Sequence, residues 1–205
     1  MRTVGVGDHA LLVELADGEE TAALHGELLR RRADGSLPRV GEIVPAERTV
    51  LLDGVADPAR FAAELATWRL TAASTADAAS VDVPVRYDGP DLADVAAMWG
   101  VGPREAARIH AATSFRVAFC GFSPGFGYLT GLGERYAVAR RATPRTSVPA
   151  GSVAVAGPYT GVYPRPSPGG WQLIGTTDAV LWDTEREPAA LLAPGTRVRF
   201  VAVEA

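Results

Sequence analysis

Half of the glycines in this 205-residue chain, 11 of 22, and 7 of its 15 prolines fall within residues 121–175. Glycine admits positive φ and lets a ligand approach main-chain N–H groups, while proline presets φ, so their mixture makes rigid loops. Such loops suit an oxyanion or phosphate presented to backbone donors. Equally, they are the tight turns that a compact β-barrel needs. The apolar runs from here onward are short and β-like, at 153–156, 161–163, 171–174, 179–182 and 196–203. They predict a small barrel or sandwich.

Upstream the period changes. Residues 9–15 read as a short apolar strand, and 19–33 place Leu24, Leu28 and Leu29 on one helical face before Gly35. Ile43 and Val44 with Val50, Leu51 and Leu52 suggest paired strands, after which Asp57 and Pro58 supply an N-cap and first-turn proline for a helix carrying Phe61, Leu65 and Trp68. Residues 71–80, TAASTADAAS, lose their large apolar side chains and read as a linker. The expected organisation is therefore an α/β N-terminal domain over 1–80 and a second domain over 81–205. Within the second, 81–87 is extended, helices at 91–99 and 103–112 flank a Gly100–Gly102 turn, and 115–120 is a strand. The fold class expected is α+β.

Composition narrows the function. A net charge of -4 with a pI near 5.4 gives no basic field for nucleic acid or anionic lipid. All 20 basic residues are arginine, which excludes a Schiff-base or P-loop lysine. The N-terminus lacks signal-peptide character and no apolar run reaches the roughly 18–20 residues of a bilayer span, so a cytoplasmic protein is expected. One cysteine and three dispersed histidines offer neither a disulfide nor a metal constellation, and no biotin-attachment sequence occurs. His9, His25 and Cys120 are assigned no chemistry.

Four blocks follow in order: GFSPGFGYL at 121–129, TPRTSVPAGS at 143–152, TGVYP at 160–164 and SPGGWQLIG at 167–175. With GDHALLVE at 7–14 and IVPAERT at 43–49, they resemble the family that contains the B-type subunit of bacterial 5-oxoprolinase, also labelled allophanate hydrolase subunit 1, and the inhibitor of a sporulation histidine kinase. The resemblance covers nearly the whole chain. It implies a small α/β N-terminal domain followed by a cyclophilin-like β-barrel, shared with half of the carboxyltransferase module of urea carboxylase. It further implies a subunit that works with a second barrel subunit, of the 5-oxoprolinase C type, and a third of the A type, opening 5-oxoproline to glutamate while ATP is hydrolysed. With no lysine-bearing phosphate loop here, ATP is expected mainly on a partner. Tyr159 and Thr176 depart from the Gln and Arg that relatives often carry beside the third and fourth blocks. The alternatives are a regulator that docks on a histidine kinase, and a subunit acting on allophanate or another urea-derived amide.

Site candidates come from these blocks. Arg145, between two proline-bearing turns, offers a planar guanidinium to clamp a carboxylate, or else forms a surface ion pair. Ser152 offers a hydroxyl and neighbouring N–H groups to an oxyanion. His110 is a general acid or base if its ring faces the 121–127 loop, or otherwise a core histidine. Ser123, Tyr163 and Gln172 offer hydrogen bonds to a small amide substrate, with Gly125 and Gly170 giving close backbone approach. Phe122, Phe126, Tyr128 and Trp171 wall a pocket, meet a partner or fill a core.

Overall fold

Leu11 and Val13 on one run, and Val50 and Leu52 on another, are buried while their neighbours are more exposed, the period of strands with one covered face. In the computed structural model, which describes residues 1–71 and 79–204, these runs are the centre of a four-stranded antiparallel sheet. The chain divides into two compact units, Met1–Asp77 and Ala78–Ala205. Residues 72–78, most of the expected linker, lie outside the described residues.

The first unit contains β1 (Arg2–Val6), β2 (Ala10–Glu14), α1 (Gly18–Asp34), β3 (Glu42–Pro45), β4 (Thr49–Asp53) and α2 (Pro58–Leu65), with strand order β1-β2-β4-β3. Asp17 caps α1 by accepting from the Glu20 amide, and the Glu20 carboxylate accepts in turn from the Ala16 amide. Gly35 ends it with φ 76°. Leu24 and Leu28 of α1 and Phe61 and Leu65 of α2 cover Leu11, Val13, Val50 and Leu52. Leu29, expected on the same face, is 42% exposed. The strand β1, which carries Gly5, was not anticipated.

The second unit contains β5 (Ser80–Val85), α3 (Leu92–Met98), α4 (Pro103–Ala112), β6 (Phe115–Cys120), β7 (Gly127–Thr130), β8 (Arg145–Val148), β9 (Ser152–Ala156), β10 (Tyr159–Val162), β11 (Ser167–Gly169), β12 (Gln172–Thr176) and β13 (Arg197–Ala202). Seven strands run β12-β9-β10-β7-β6-β13-β5, antiparallel except for the parallel pair β13 and β5. Just beyond β5, Arg86 exchanges two backbone hydrogen bonds with Thr176 of β12, at 2.9 and 2.8 Å. That bridge joins the two edges of the sheet, which makes the expected barrel.

Side chains from all seven strands, among them Val83, Phe115, Leu129, Val155, Ile174 and Phe200, fill its interior with Val95 and Ala106 from the two helices. Each large apolar side chain so buried contributes roughly 1.5–3 kcal/mol. Along β9 the alternate residues Ala154 and Ala156 face outward onto a second cluster, with Val148, Tyr163, Trp171 and Phe126. The ribbon of β8 and β11 belongs to this outer layer. Residues 179–182 are not a strand. Only an isolated antiparallel bridge between Trp182 and Ala190 forms there, with the Leu191 N–H donating to the Leu181 carbonyl, and the Arg186 guanidinium adds donors to the carbonyls of Val180, Leu181 and Ala189.

Candidate functional site

Tyr163 organises the outer layer of the barrel. Its amide donates to the Ser152 carbonyl and its own carbonyl accepts from the Gly151 amide, so the residue is tied to the start of β9. Its hydroxyl lies near the backbone of Trp171. A Cβ on Gly169 would collide with that hydroxyl, which is why β11 passes so close. In register, Gly169 pairs with Arg145. The ring thereby sits beside the β8–β11 ribbon.

On its other side lies the 121–127 loop. Phe122 adopts φ 65°, a left-handed conformation that costs a residue with a side chain of order 1 kcal/mol or more. Its ring is 57% exposed and stands edge-on to Phe126 and Tyr163 at 5.3 and 6.1 Å. The Ser123 hydroxyl is buried without a hydrogen-bond partner among the described residues. Gly125 has φ 84°, and a Cβ there would lie 2.9 Å from Cβ of Trp182.

Beside the ribbon is a group of charges centred on Asp91, the residue just before α3. Its Oδ1 accepts from Arg141 Nη1 at 2.9 Å and Arg145 Nη2 at 2.7 Å, and its Oδ2 accepts from the Leu173 amide at 2.7 Å. Burial pushes the Asp91 carboxyl up, but the hydrogen bonds from Arg145 and Leu173 and the charges of both arginines outweigh it and hold it below the usual carboxylate range. Neither Asp91 nor Arg141 was singled out from sequence. A legible signal existed: five arginines and no acidic residue stand between Glu134 and Asp178, so any carboxylate these arginines meet comes from elsewhere in the chain.

The structure thus brings Arg145, Tyr163, Gly170 and Gln172 together, with Ser123 and Gly125 on the adjoining loop. Several are already engaged. Arg145 grips the carboxylate of Asp91, a partly buried internal ion pair, where sequence suggested a free clamp or a surface pair. The Gln172 amide donates to the Ala139 carbonyl, and the Gly170 carbonyl accepts from the Arg141 amide. Ser152 is buried, and its N–H bonds the Pro149 carbonyl while that of Gly151 bonds Tyr163. Those two amides are therefore not open to an oxyanion, a correction to the expectation.

His110 needs a larger correction. Fully buried in the barrel interior, its ring packs on Phe115 and Phe200, and its nitrogens meet Tyr87 Oη at 2.8 Å and Thr160 Oγ1 at 3.2 Å. Burial lowers its pKa to about 3. It is a neutral core histidine, and the loop at 121–127 does not face it. Cys120 donates to the Leu192 carbonyl, and burial raises its thiol to about 11, which suits a packing role. Phe126 and Trp171 are core; Phe122 is exposed.

A cleft of about 290 Å³ opens in the first unit between Arg39, Val55, Arg60 and Phe61, and none of the sequence candidates lines it. Among the described residues no group of three or more His, Cys, Asp or Glu side chains is arranged for a metal ion, and no helix is long and apolar enough to cross a membrane.

Residues 1–192 match the carboxyltransferase domain family, subdomains C and D. The chain is also 40% identical over 205 residues to the B-type subunit of 5-oxoprolinase from Escherichia coli O157:H7, covering 96% of this chain and 93% of that one. The chain belongs to the family of 5-oxoprolinase B-type subunits. The same fold also occurs within longer polypeptides. The crystal structure of TTHA0988 superposes with a TM-score of 0.78 at 34% identity over 96% of this chain, which spans 40% of that chain. The Kluyveromyces lactis urea amidolyase, at 19% identity and a TM-score of 0.73, shares the fold over 98% of this chain and 15% of its own length. In this member of the B-type family, the second and fourth sequence blocks supply Arg145 and Leu173, which hydrogen-bond the Asp91 carboxylate, and the third supplies Tyr163, against which Gly169 packs.

Proposed function

We propose that the chain is a non-autonomous subunit of an ATP-dependent assembly that opens 5-oxoproline to glutamate in the cytoplasm, beside partners of the 5-oxoprolinase C and A types. The observation that carries this reading is the 40% identity to a 5-oxoprolinase B-type subunit, spread over 96% of this chain and 93% of the relative. Opening the ring adds water across the lactam C–N bond: the carbonyl carbon becomes a carboxylate and the nitrogen leaves as an amine, coupled to cleavage of an ATP phosphoanhydride.

In this reading the face around Arg145 and Tyr163 binds the anionic end of the substrate, with the Ser123 hydroxyl and the exposed Phe122 ring at its margin. Arginine suits that task because its planar fork matches a carboxylate. Proton transfer is assigned to a partner, because both nitrogens of His110 are engaged in the core. Most of the nucleotide site is assigned there too, since the chain contains no lysine for a phosphate loop, which leaves this chain at most an arginine contact to one phosphate.

The test is glutamate release from 5-oxoproline and ATP by the chain mixed with its partner subunits, with the chain omitted, and with Arg145→Ala. Release should need the chain and fall at least ~10-fold in the variant, the loss of one charged hydrogen-bonding group. Release that continues undiminished without the chain would refute the proposal.

A further inference from the structure

The charges around Asp91 exceed what an ion pair needs. One carboxylate faces two guanidinium groups, and each still holds a buried N–H with no acceptor among the described residues, Nε of Arg141 and Nη1 of Arg145. Buried donors are seldom left so in native proteins, because desolvation without a partner is costly. Since both planar groups meet at the same oxygen atom, each spare donor lies within the span of one guanidinium from that oxygen. Arg140 adds a third positive charge within reach of Tyr163. Neither guanidinium is sealed off, with 34% of the Arg141 side chain and 22% of the Arg145 side chain exposed.

The Asp91 side chain is 4% exposed and anchored to β12 through the Leu173 amide, so it is the fixed member of the trio. A carboxylate that served only to cancel charge would need one arginine. This one immobilises two long side chains that would otherwise lose rotamer freedom on meeting a ligand.

We infer that Asp91 is a positioning residue that holds Arg141 and Arg145 as a paired clamp for one oxyanion, either the carboxylate of the substrate or a phosphate of the nucleotide. The inference rests on the reading of the chain as a 5-oxoproline-opening subunit and adds Asp91 and Arg141 to its site. Arg141 and Arg145 donate to the anion, while Asp91 acts only through them.

Two variants test it, Arg141→Gln and Asp91→Asn, the latter keeping an acceptor for the Leu173 amide. Calorimetric titration of the intact chain with 5-oxoproline, inorganic phosphate and ATP gives affinities, and the reconstituted assembly gives KM and kcat for both substrates. Arg141→Gln should weaken one anion on the order of 10-fold or more and raise the KM of that substrate with little change in kcat. A shift confined to 5-oxoproline identifies the carboxylate, and one confined to ATP and phosphate identifies a phosphate. Asp91→Asn should move the same KM in the same direction.

The inference is overturned if Arg141→Gln, with native near-ultraviolet circular dichroism, leaves both KM values and all three affinities within about twofold of the parent. Should Asp91→Asn fail to fold, the partly exposed Arg141 decides the matter. An assembly that opens no 5-oxoproline defeats the functional reading alone if the chain still binds an anion through Arg141. Absence of anion binding by both the chain and the assembly defeats the clamp.

Discussion

Removing the Asp91 carboxylate deprives two guanidinium groups and the Leu173 amide of their acceptor at once. Asp91→Ala should therefore lower the unfolding free energy measured in urea by about 3 kcal/mol or more, the usual cost of breaking a buried charged pair from one side. Its pKa is depressed in the fold. The stabilisation it brings is complete above the unfolded-chain value of about 4 and drains away as pH falls through the lower folded value. His110 acts in a different window. Its folded pKa of about 3 lies below the ordinary value of 6.5, so protonation favours the unfolded chain. Stability should be level above about pH 6.5 and fall towards acid by up to about 1.4 kcal/mol per pH unit, a slope that His110→Gln abolishes. Urea titrations from about pH 8 to about pH 4 on the two proteins check this, and parallel curves would contradict the buried neutral ring.

At the scale of elements, the turn that launches β9 is the tightest constraint near the site. Gly151 has φ 77°, and a Cβ there would run into the Thr177 carbonyl oxygen. Gly151→Ala should cost roughly 2–3 kcal/mol in urea unfolding through backbone strain and the clash. By comparison, Asp17→Ala removes one cap from α1 and should cost about 1 kcal/mol. These same local devices explain what was legible in the sequence. The helix α4 and strand β6 carry clear signals, a first-turn proline and a largely apolar run, and both occur where expected. The strands β7, β8 and β11 are three or four residues long and are built from the glycine- and proline-bearing blocks, so their pairing is decided by distant partners. Val180 and Trp182 looked like strand residues because they are apolar, yet they are exposed, and their segment makes only one isolated bridge, Trp182 with Ala190, beside the bonds from Arg186. Arg145 was legible as a site candidate because it stands in a recognisable block, though not its pairing with Asp91. Asp91 was not, because an aspartate before a helix reads as a cap, although its side chain reaches across 54 residues to Arg145 instead.

For the molecule as a whole, each unit has its own core, one on the four-stranded sheet and one inside the barrel. The barrel closes through the paired backbone bonds between Arg86 and Thr176, with the Asp91 amide donating to the Leu173 carbonyl farther along β12. If that closure is part of the cooperative core, the amide hydrogens of Arg86 and Thr176 should exchange with deuterium as slowly as those of β9. Rapid exchange at both would mean a sheet that breathes open along this seam. The parallel pairing of β5 with β13 also has a bearing on synthesis. The first unit is built from neighbours in the chain and can form while the rest is still being translated. Ser80–Val85 emerges early but must wait for Arg197–Ala202 before its ladder is filled. Throughout that interval the nascent barrel carries an unpaired edge, and a ribosome stalled shortly before residue 197 would hold a β-strand open to whatever chain or chaperone reaches it first.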